Sequence, residues 1–446
     1  MRYEKYISVP DAIWFDVVPD SWRALKMRGV FSERNTKVSD KDYPALSVGK
    51  MGVVPQLDTA VKTDNGDNRK LICKGDFAIN SRSDRKGSSG ISQYDGSASL
   101  IITVLKPHRS LNGRFYHYLL RGHYFAEEFY RNGHGLVSDL WTTKWDKMRN
   151  IYIPVPPREE QDQIVRYLDW QVSKINKLIH GYQWKIKLLE ERRQTIIDQT
   201  SLEGVDGVKL IDSGTHWVKQ IPENWKMVYS KKLFAERKDK AFLNDEQLTA
   251  SQKHGVISQK EFMEKVGRRV TVVTKGGDIL KHVGKGDFII SMRSFQGGLE
   301  YSYVEGKISS AYVMLIPRKG LVYDEYFKWL LKSTPYIKAL QGTADLVRDG
   351  QALRYANFAK VPLPQVPIDE QKRIADYIEQ ETAKIDRAIP VLEKEIELLK
   401  EYRTRLISDV VTGQMDVRNV EVPEYTPEED IAEEAPEEQE VEMDAD

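Results

Sequence analysis

IPVPPREEQ, Ile153 to Gln161, is met again 210 residues further along the chain as LPQVPIDEQ, Leu363 to Gln371. Upstream of each copy the likeness continues. KGDFAINSRS (Lys74 to Ser83) returns as KGDFIISMRS (Lys285 to Ser294) at a displacement of 211. VPDSW (Val18 to Trp22) returns as IPENW (Ile221 to Trp225), and FSER (Phe31 to Arg34) as FAER (Phe234 to Arg237), both displaced by 203. Separate blocks in one order at a nearly constant offset identify an internal duplication, so the chain is read as two versions of one unit.

Downstream of the proline clusters at Pro154, Pro156 and Pro157, and at Pro362, Pro364 and Pro367, the pattern turns helical. It runs from Glu159 to Thr200 and from Asp369 to Val410, about 42 residues each. At about 1.5 Å per residue such a helix reaches ~60 Å. In the first, Ile175, Ile179, Tyr182, Ile186, Leu189 and Ile196 form a heptad seam, and in the second the seam is Ile385, Ile389, Leu392, Ile396, Leu399 and Leu406, each displaced by 210. Arg193 and Arg403 interrupt the two seams at matching places. Each seam outruns the globular unit before it, so the two helices are expected to pair with each other, antiparallel about a pseudo-twofold axis. His180, Gly181 and Pro390 near mid-helix predict a bend or break.

The parts ahead of the helices are punctuated by glycine and carry short strand-like runs such as SLIITVL (Ser99 to Leu105) and AYVMLI (Ala311 to Ile316). The fold class is therefore α+β: two tandem mixed α/β domains, each followed by a long helix. The boundaries read as 1–157, 158–210 for the first helix, 211–366, 367–418 for the second helix, and a tail at 419–446. That tail holds 13 acids and no Lys or Arg. With few large apolar residues it cannot bury enough surface to offset its ordering entropy, so disorder is expected there.

Length agrees with several domains, since 446 residues correspond to a prior of about three. Lys plus Arg and Asp plus Glu are both 67, but without the tail the balance is 67 against 54, a charge of +13. A single cysteine, Cys73, excludes an intrachain disulfide and a cysteine-based zinc cluster. No signal-peptide core and no stretch of about 20 apolar residues is present, so a soluble cytoplasmic protein without membrane association is expected.

The positive charge lies on the globular units. Residues 1–157 hold 24 basic and 17 acidic side chains and residues 211–366 hold 25 and 16, whereas the two helical segments together hold 18 and 21. A doubled basic module points to a polyanion, with double-stranded DNA as the expected partner. Arg82, Arg85 and Lys86 in SRSDRKGSSG, and Arg293 with Gln296 in SMRSFQGG, follow strand-like runs and precede flexible Gly/Ser residues. Arg reads guanine O6 and N7 with two hydrogen bonds and Gln reads adenine, about 1–3 kcal/mol of discrimination per pair. A second basic region precedes each helix, with Lys144 beside Trp145, and with Arg348, Gln351 and Arg354 in VRDGQALRY. These suit backbone phosphates, which set register without reading sequence.

Catalytic signatures are scarce. GxGxxG, GxxxxGK[ST], HExxH, GxSxG and NPPY-type patterns are missing, and eight scattered histidines give no metal-ligand spacing. His117, His123 and His134 read as structural or surface residues. Two copies of a unit with no repeated acid, base or nucleophile argue for binding, and the chain is expected to be no enzyme, with no catalytic residue, no metal and no cofactor of its own.

IPVPPREEQDQIVRYLDWQVSKINKLI and VPLPQVPIDEQKRIADYIEQETAKIDRAI, with the ending ELLKEYRTRLISDVVTGQMDVR and the KGDF[AI]I blocks, closely resemble the specificity subunit of Type I restriction-modification systems over residues 1–418. The resemblance implies that each globular unit is a target recognition domain reading half of a bipartite, asymmetric DNA site, and that the helices fix the gap. It implies two methyltransferase subunits, which use S-adenosylmethionine, and restriction motor-nuclease subunits in the full complex. It maps methyltransferase docking onto Glu160, Gln161, Ile164 and Tyr167, and onto Glu370, Gln371, Ile374 and Tyr377; from the residues alone these also serve to start and pack a helix. The alternative is a stand-alone DNA-binding adaptor of another defence assembly without restriction activity. The acidic tail departs from the family's pattern.

Overall fold

A computed structural model describes residues 2–57, 66–82, 87–108, 111–135, 141–251, 254–267, 280–291, 299–343, 346–347, 350–351 and 354–427. The duplication read from the sequence is a duplication of structure. In the first copy a four-stranded antiparallel sheet runs in the order Phe31–Glu33, Ile102–Pro107, Phe77–Asn80, Ser89–Ile91. In the second the order is Phe234–Arg237, Tyr312–Pro317, Phe288–Ser291, Glu300–Tyr301. Register is shared as well: Phe31 faces Pro107 and Phe77 faces Leu105, while Phe234 faces Pro317 and Phe288 faces Leu315. Each copy adds a hairpin, Leu46–Gly49 with Gly52–Pro55 and Leu248–Ser251 with Gly255–Ser258.

The repeated FxER and KGDF blocks make one device. Arg34 Nε donates to Asp76 Oδ2 at 2.6 Å, and Arg237 Nε to Asp287 Oδ2 at 2.6 Å, with both aspartates buried. A buried carboxylate requires a partner, and here the backbone adds another donor: Cys73 N to Asp76 at 2.9 Å, Gly284 N to Asp287 at 2.7 Å. The glycine of each KGDF turn sits at positive φ, 89° at Gly75 and 95° at Gly286, a conformation that disfavours a Cβ.

The strand that precedes each long helix closes back on the start of its domain. Tyr152–Val155 pairs with Arg23–Lys26, and Pro362–Gln365 with Lys226–Tyr229. The long helices then span Arg158–Glu203 and Ile368–Val411. Glu159 and Glu160 in one first turn, and Asp369 and Glu370 in the other, meet the positive end of the helix dipole. None of the twelve seam residues is exposed. The expected mid-helix break does not occur: the first helix runs on through His180 and Gly181 and the second through Pro390. Pro390 removes one hydrogen bond at an exposed position, and the buried seam residues Ile385 and Leu392 hold the turns on either side.

The chain forms two compact units, and each takes part of both long helices. One contains Met1–Gln183 with the described residues from Glu393 onward; the other is Trp184–Leu392. Within the first unit the helices are antiparallel. Tyr167 Oη lies 3.9 Å from Met415 Sδ, and further along Arg403 Nη1 donates to Asn176 Oδ1 at 2.8 Å. Within the second, Arg193 Nε donates to Asp386 Oδ1 at 2.8 Å and Arg373 Nη2 to Asp206 Oδ2 at 2.7 Å, again with one number rising as the other falls. The core of the second unit joins Ile197 and Leu202 from the end of the first helix to Trp225, Phe234 and Phe288 of the domain and to Ile374 and Ile378 of the second helix.

Both helices end on a left-handed glycine packed against the VPxxW-type block. Gly204, at φ 74°, lies against Trp225 and Pro222, and Gly413, at φ 76°, against Pro19 and Trp22. On either side of Arg418, Gln163 Nε2 donates to the Val417 and Val420 carbonyls at 3.0 and 2.7 Å, so the start of the acidic tail lies against the first helix.

Candidate nucleic-acid interface

In the first unit the two basic regions expected from the sequence come together. The chain leaves the sheet after Phe77–Asn80, and Ser81 O accepts from Thr143 N at 2.9 Å. Arg82 forms an isolated antiparallel bridge with Thr142, which also bridges His134. Thr143 is buried and its hydroxyl donates to Phe129 O at 2.7 Å, while Trp141 Nε1 donates to Tyr130 O at 2.9 Å. This anchoring leaves Arg82 and Lys144 exposed on neighbouring segments, with Lys144 capping the short helix Trp145–Met148. Arg85 and Lys86 lie outside the described residues.

In the second unit, Arg354 is exposed at the N-cap of the helix Tyr355–Lys360, whose Asn357 Nδ2 reaches Thr343 O at 2.5 Å. Gln351 belongs to the two-stranded ribbon Leu346–Val347 with Gly350–Gln351; its side chain, together with Arg293, Gln296 and Arg348, lies outside the described residues.

The repeated Glu-Gln pair has a structural office in each unit. The Tyr3 hydroxyl donates to Glu160, which with burial pushes that phenol far above its ordinary pKa. Gln161 Oε1 accepts from Asn112 N at 2.9 Å and its Nε2 donates to Pro156 O at 2.9 Å. Glu370 accepts from Trp225 Nε1 and Asn224 Nδ2, both at 2.9 Å. Gln371 accepts from Tyr323 N at 2.7 Å and donates to Leu321 O and Val366 O. Ile164, Ile374 and Tyr167 are buried, and of the eight residues only Tyr377, 46% exposed, faces outward. These residues start each helix and tie it to its domain.

A further basic grouping has no local sequence signal. Lys50, Arg114, His117, Arg121, His123 and Arg403 line a cleft of about 660 Å³ in the first unit, drawn from positions more than 350 residues apart. Arg121 lies 3.0 Å from His117 Nε2, and burial first, then Arg121 and Arg114, push His117 down to about 3. Among the described residues no cluster of three His, Cys, Asp or Glu could hold a metal, and no helix is long and apolar enough to cross a membrane.

No family model matches the chain. Two proteins of Methanocaldococcus jannaschii are similar to it. One, provisionally named the type I restriction enzyme MjaX specificity subunit, is 21% identical over 429 residues, covering 90% of this chain and 95% of the relative. The other, the type I restriction enzyme MjaVIII specificity subunit, is 22% identical over 289 residues, 61% of this chain and 64% of the relative. A chain in a solved structure concerned with complex assembly and conformational transition of the type I R-M system shares the fold, with TM-score 0.67 and 14% identity over 89% of this chain and 99% of that one. The chain is thus similar along 90% of its length to a protein named as a specificity subunit of a type I restriction enzyme, and it shares its fold with a chain of a type I R-M system.

Proposed function

We propose that the chain is the DNA-specificity subunit of a Type I restriction-modification complex, in which each recognition domain reads one half of a bipartite, asymmetric site. The observation that carries this reading is the duplicated sheet with one register, each copy bearing a basic surplus, in a chain whose relative along 90% of its length is a specificity subunit. Two modules that each read a few base pairs gain affinity by linkage, and selectivity because both must engage at one separation. Arg82, Arg85, Lys86 and Lys144 serve the first half-site, and Arg293, Gln296, Arg348, Gln351 and Arg354 the second. Arg and Gln near a groove supply base recognition, and the remaining cations contact phosphates.

Catalysis belongs to partners. Two methyltransferase subunits, using S-adenosylmethionine, dock along the repeat segments that begin at Glu160 and Glu370, through exposed neighbours of the buried residues and through Tyr377. Motor-nuclease subunits complete the restriction complex in the cytoplasm. Methylome sequencing of a host with and without the gene tests the proposal. A methylated two-part motif with a constant gap should vanish on deletion. An unchanged methylome, or loss of an uninterrupted motif only, overturns it.

A further inference from the structure

The corner at which each long helix starts is built from repeated parts, yet the two copies bond differently. In the second unit Glu370 accepts from Trp225 Nε1 and from Asn224 Nδ2, both at 2.9 Å. The matching residues of the first unit are Glu160, Trp22 and Ser21. Glu160 and Trp22 are buried like their counterparts, but Trp22 Nε1 finds no hydrogen-bond partner among the described residues. A buried indole N–H ordinarily has an acceptor, and here the carboxylate that serves in the other copy is already taken. The Tyr3 hydroxyl donates to Glu160, and the Tyr3 ring lies edge-on to Trp22 with ring centres 5.9 Å apart.

The paired strands show why one copy alone has this competitor. Tyr6 faces Pro19 and Leu210 faces Pro222, the prolines of the repeated VPDSW and IPENW blocks. Three residues before each stands Tyr3 in the first unit and Gly207, without a side chain, in the second. Tyr3 is also fastened to the end of the second helix. The Arg418 guanidinium lies 4.7 Å from the Tyr3 ring centre and pairs with Asp416 at 2.8 Å, and Tyr6 Oη donates to Gly413 O at 3.1 Å. One aromatic side chain, 5% exposed, thus joins the start of one helix to the end of the other within the first unit.

We propose that Glu160 is the shared acceptor of a two-state strap. With Tyr3 seated it takes the tyrosine hydroxyl; with Tyr3 withdrawn it takes Trp22 Nε1, the bond that Trp225 and Glu370 keep in the second unit. The carboxylate has a donor in both states, so withdrawal strands no buried charge and the start of the first helix stays tied to its domain. The far side is what is released. Residues 413–420 lose the Tyr3 ring against Arg418 and the adjoining Tyr6 bond to Gly413, and the segment after the second helix goes from held to free while the domain remains folded. The indole N–H left bare in the seated state is satisfied in the withdrawn one, which narrows the gap between the two. The strap does not depend on what the domains recognise.

Indole N–H resonances of the full-length chain test this, with Trp22 and Trp225 assigned from Trp22→Phe and Trp225→Phe. Trp225, donating to a carboxylate, should resonate well downfield of Trp22. Tyr3→Ala should bring Trp22 downfield to the Trp225 position. In the same variant, amide exchange over 412–420 should quicken about tenfold or more, while 158–168 stays within about twofold of the parent. A Tyr3 that merely fills space would leave Trp22 unmoved or loosen both segments together, and either result overturns the proposal. Should Tyr3→Ala fail to fold, the unsubstituted chain gives a second test. In urea below the unfolding transition, exchange over 4–8 and over 412–420 should rise in parallel while 158–168 stays protected. Independent responses of the first two segments, or loss of protection over 158–168 along with them, overturn it too.

Discussion

Arg403 Nη1 donates across the helix pair to Asn176 Oδ1 at 2.8 Å, and a shift of 210 residues turns this contact into Asp386 with Arg193, also at 2.8 Å. The arginines that break the two hydrophobic seams are thus the same inter-helix fastener used twice, once on a neutral acceptor and once on a charged one. Asn176 is fully buried, whereas Asp386 is half exposed. Arg403→Ala deprives a buried amide of this donor and should cost about 1–3 kcal/mol. Arg193→Ala loses a solvent-screened pair, about 0.2–1 kcal/mol. Urea denaturation should show the larger midpoint shift for Arg403→Ala; the reverse order refutes this assignment of the contacts.

The helix-terminating glycines give a second asymmetry. Both are left-handed, which costs an L-residue about 1–2 kcal/mol. A Cβ at Gly413 falls 2.4 Å from Pro19 Cδ, while at Gly204 the nearest atom is Glu370 Oε1 at 3.4 Å. Gly413→Ala should therefore be more destabilising than Gly204→Ala by a further ~1–3 kcal/mol of overpacking. Equal losses in equilibrium unfolding would count against the packing of the second helix end on Pro19.

His117 sets a pH dependence. Its folded pKa is pushed down to about 3 by burial and by Arg121 and Arg114, below the ordinary value of 6.5. Above 6.5 both folded and unfolded forms are neutral and the group has no effect on the pH slope. As pH falls below 6.5, the unfolded chain binds a proton that the folded chain refuses, so stability declines by up to about 1.4 kcal/mol per pH unit until about 3. His117→Gln should flatten the stability profile in that window, measured by denaturation between about pH 4 and 7; an unchanged slope would show that the ring is protonated in the fold.

Under the proposed function, Lys144 and Arg82 make two different kinds of DNA contact. In the assembled complex, Lys144→Ala should weaken binding to all duplexes alike and flatten the logarithmic salt slope by about 1. Arg82→Ala should instead relax base preference in one half-site by about 1–3 kcal/mol. Fluorescence anisotropy on cognate and mismatched duplexes distinguishes the two, and identical profiles for both variants would reject the division.

Much of this was legible because it is local or repeated. The offsets of 203 and 210 announce two equal domains, and the sheets keep the same facing pairs, Phe31 with Pro107 and Phe234 with Pro317. The seam positions announce the helix pair because a three-four spacing on a long helix demands a partner. Less legible was the use of Glu160 and Glu370. The sequence shows the pair repeated, but their donors, Tyr3 and Trp225, lie about 150 residues away.

The amino-acid order alone determined the duplication, the two long helices and their antiparallel match, since periodicity and repetition are properties of the chain itself. Tertiary structure alone decided that each compact unit takes part of both helices, that Gly413 closes on Pro19 and Trp22, and that Lys50, Arg121 and Arg403 meet around one cleft. Those are contacts between residues far apart in sequence, selected by which surfaces exclude water together, and no local pattern encodes them.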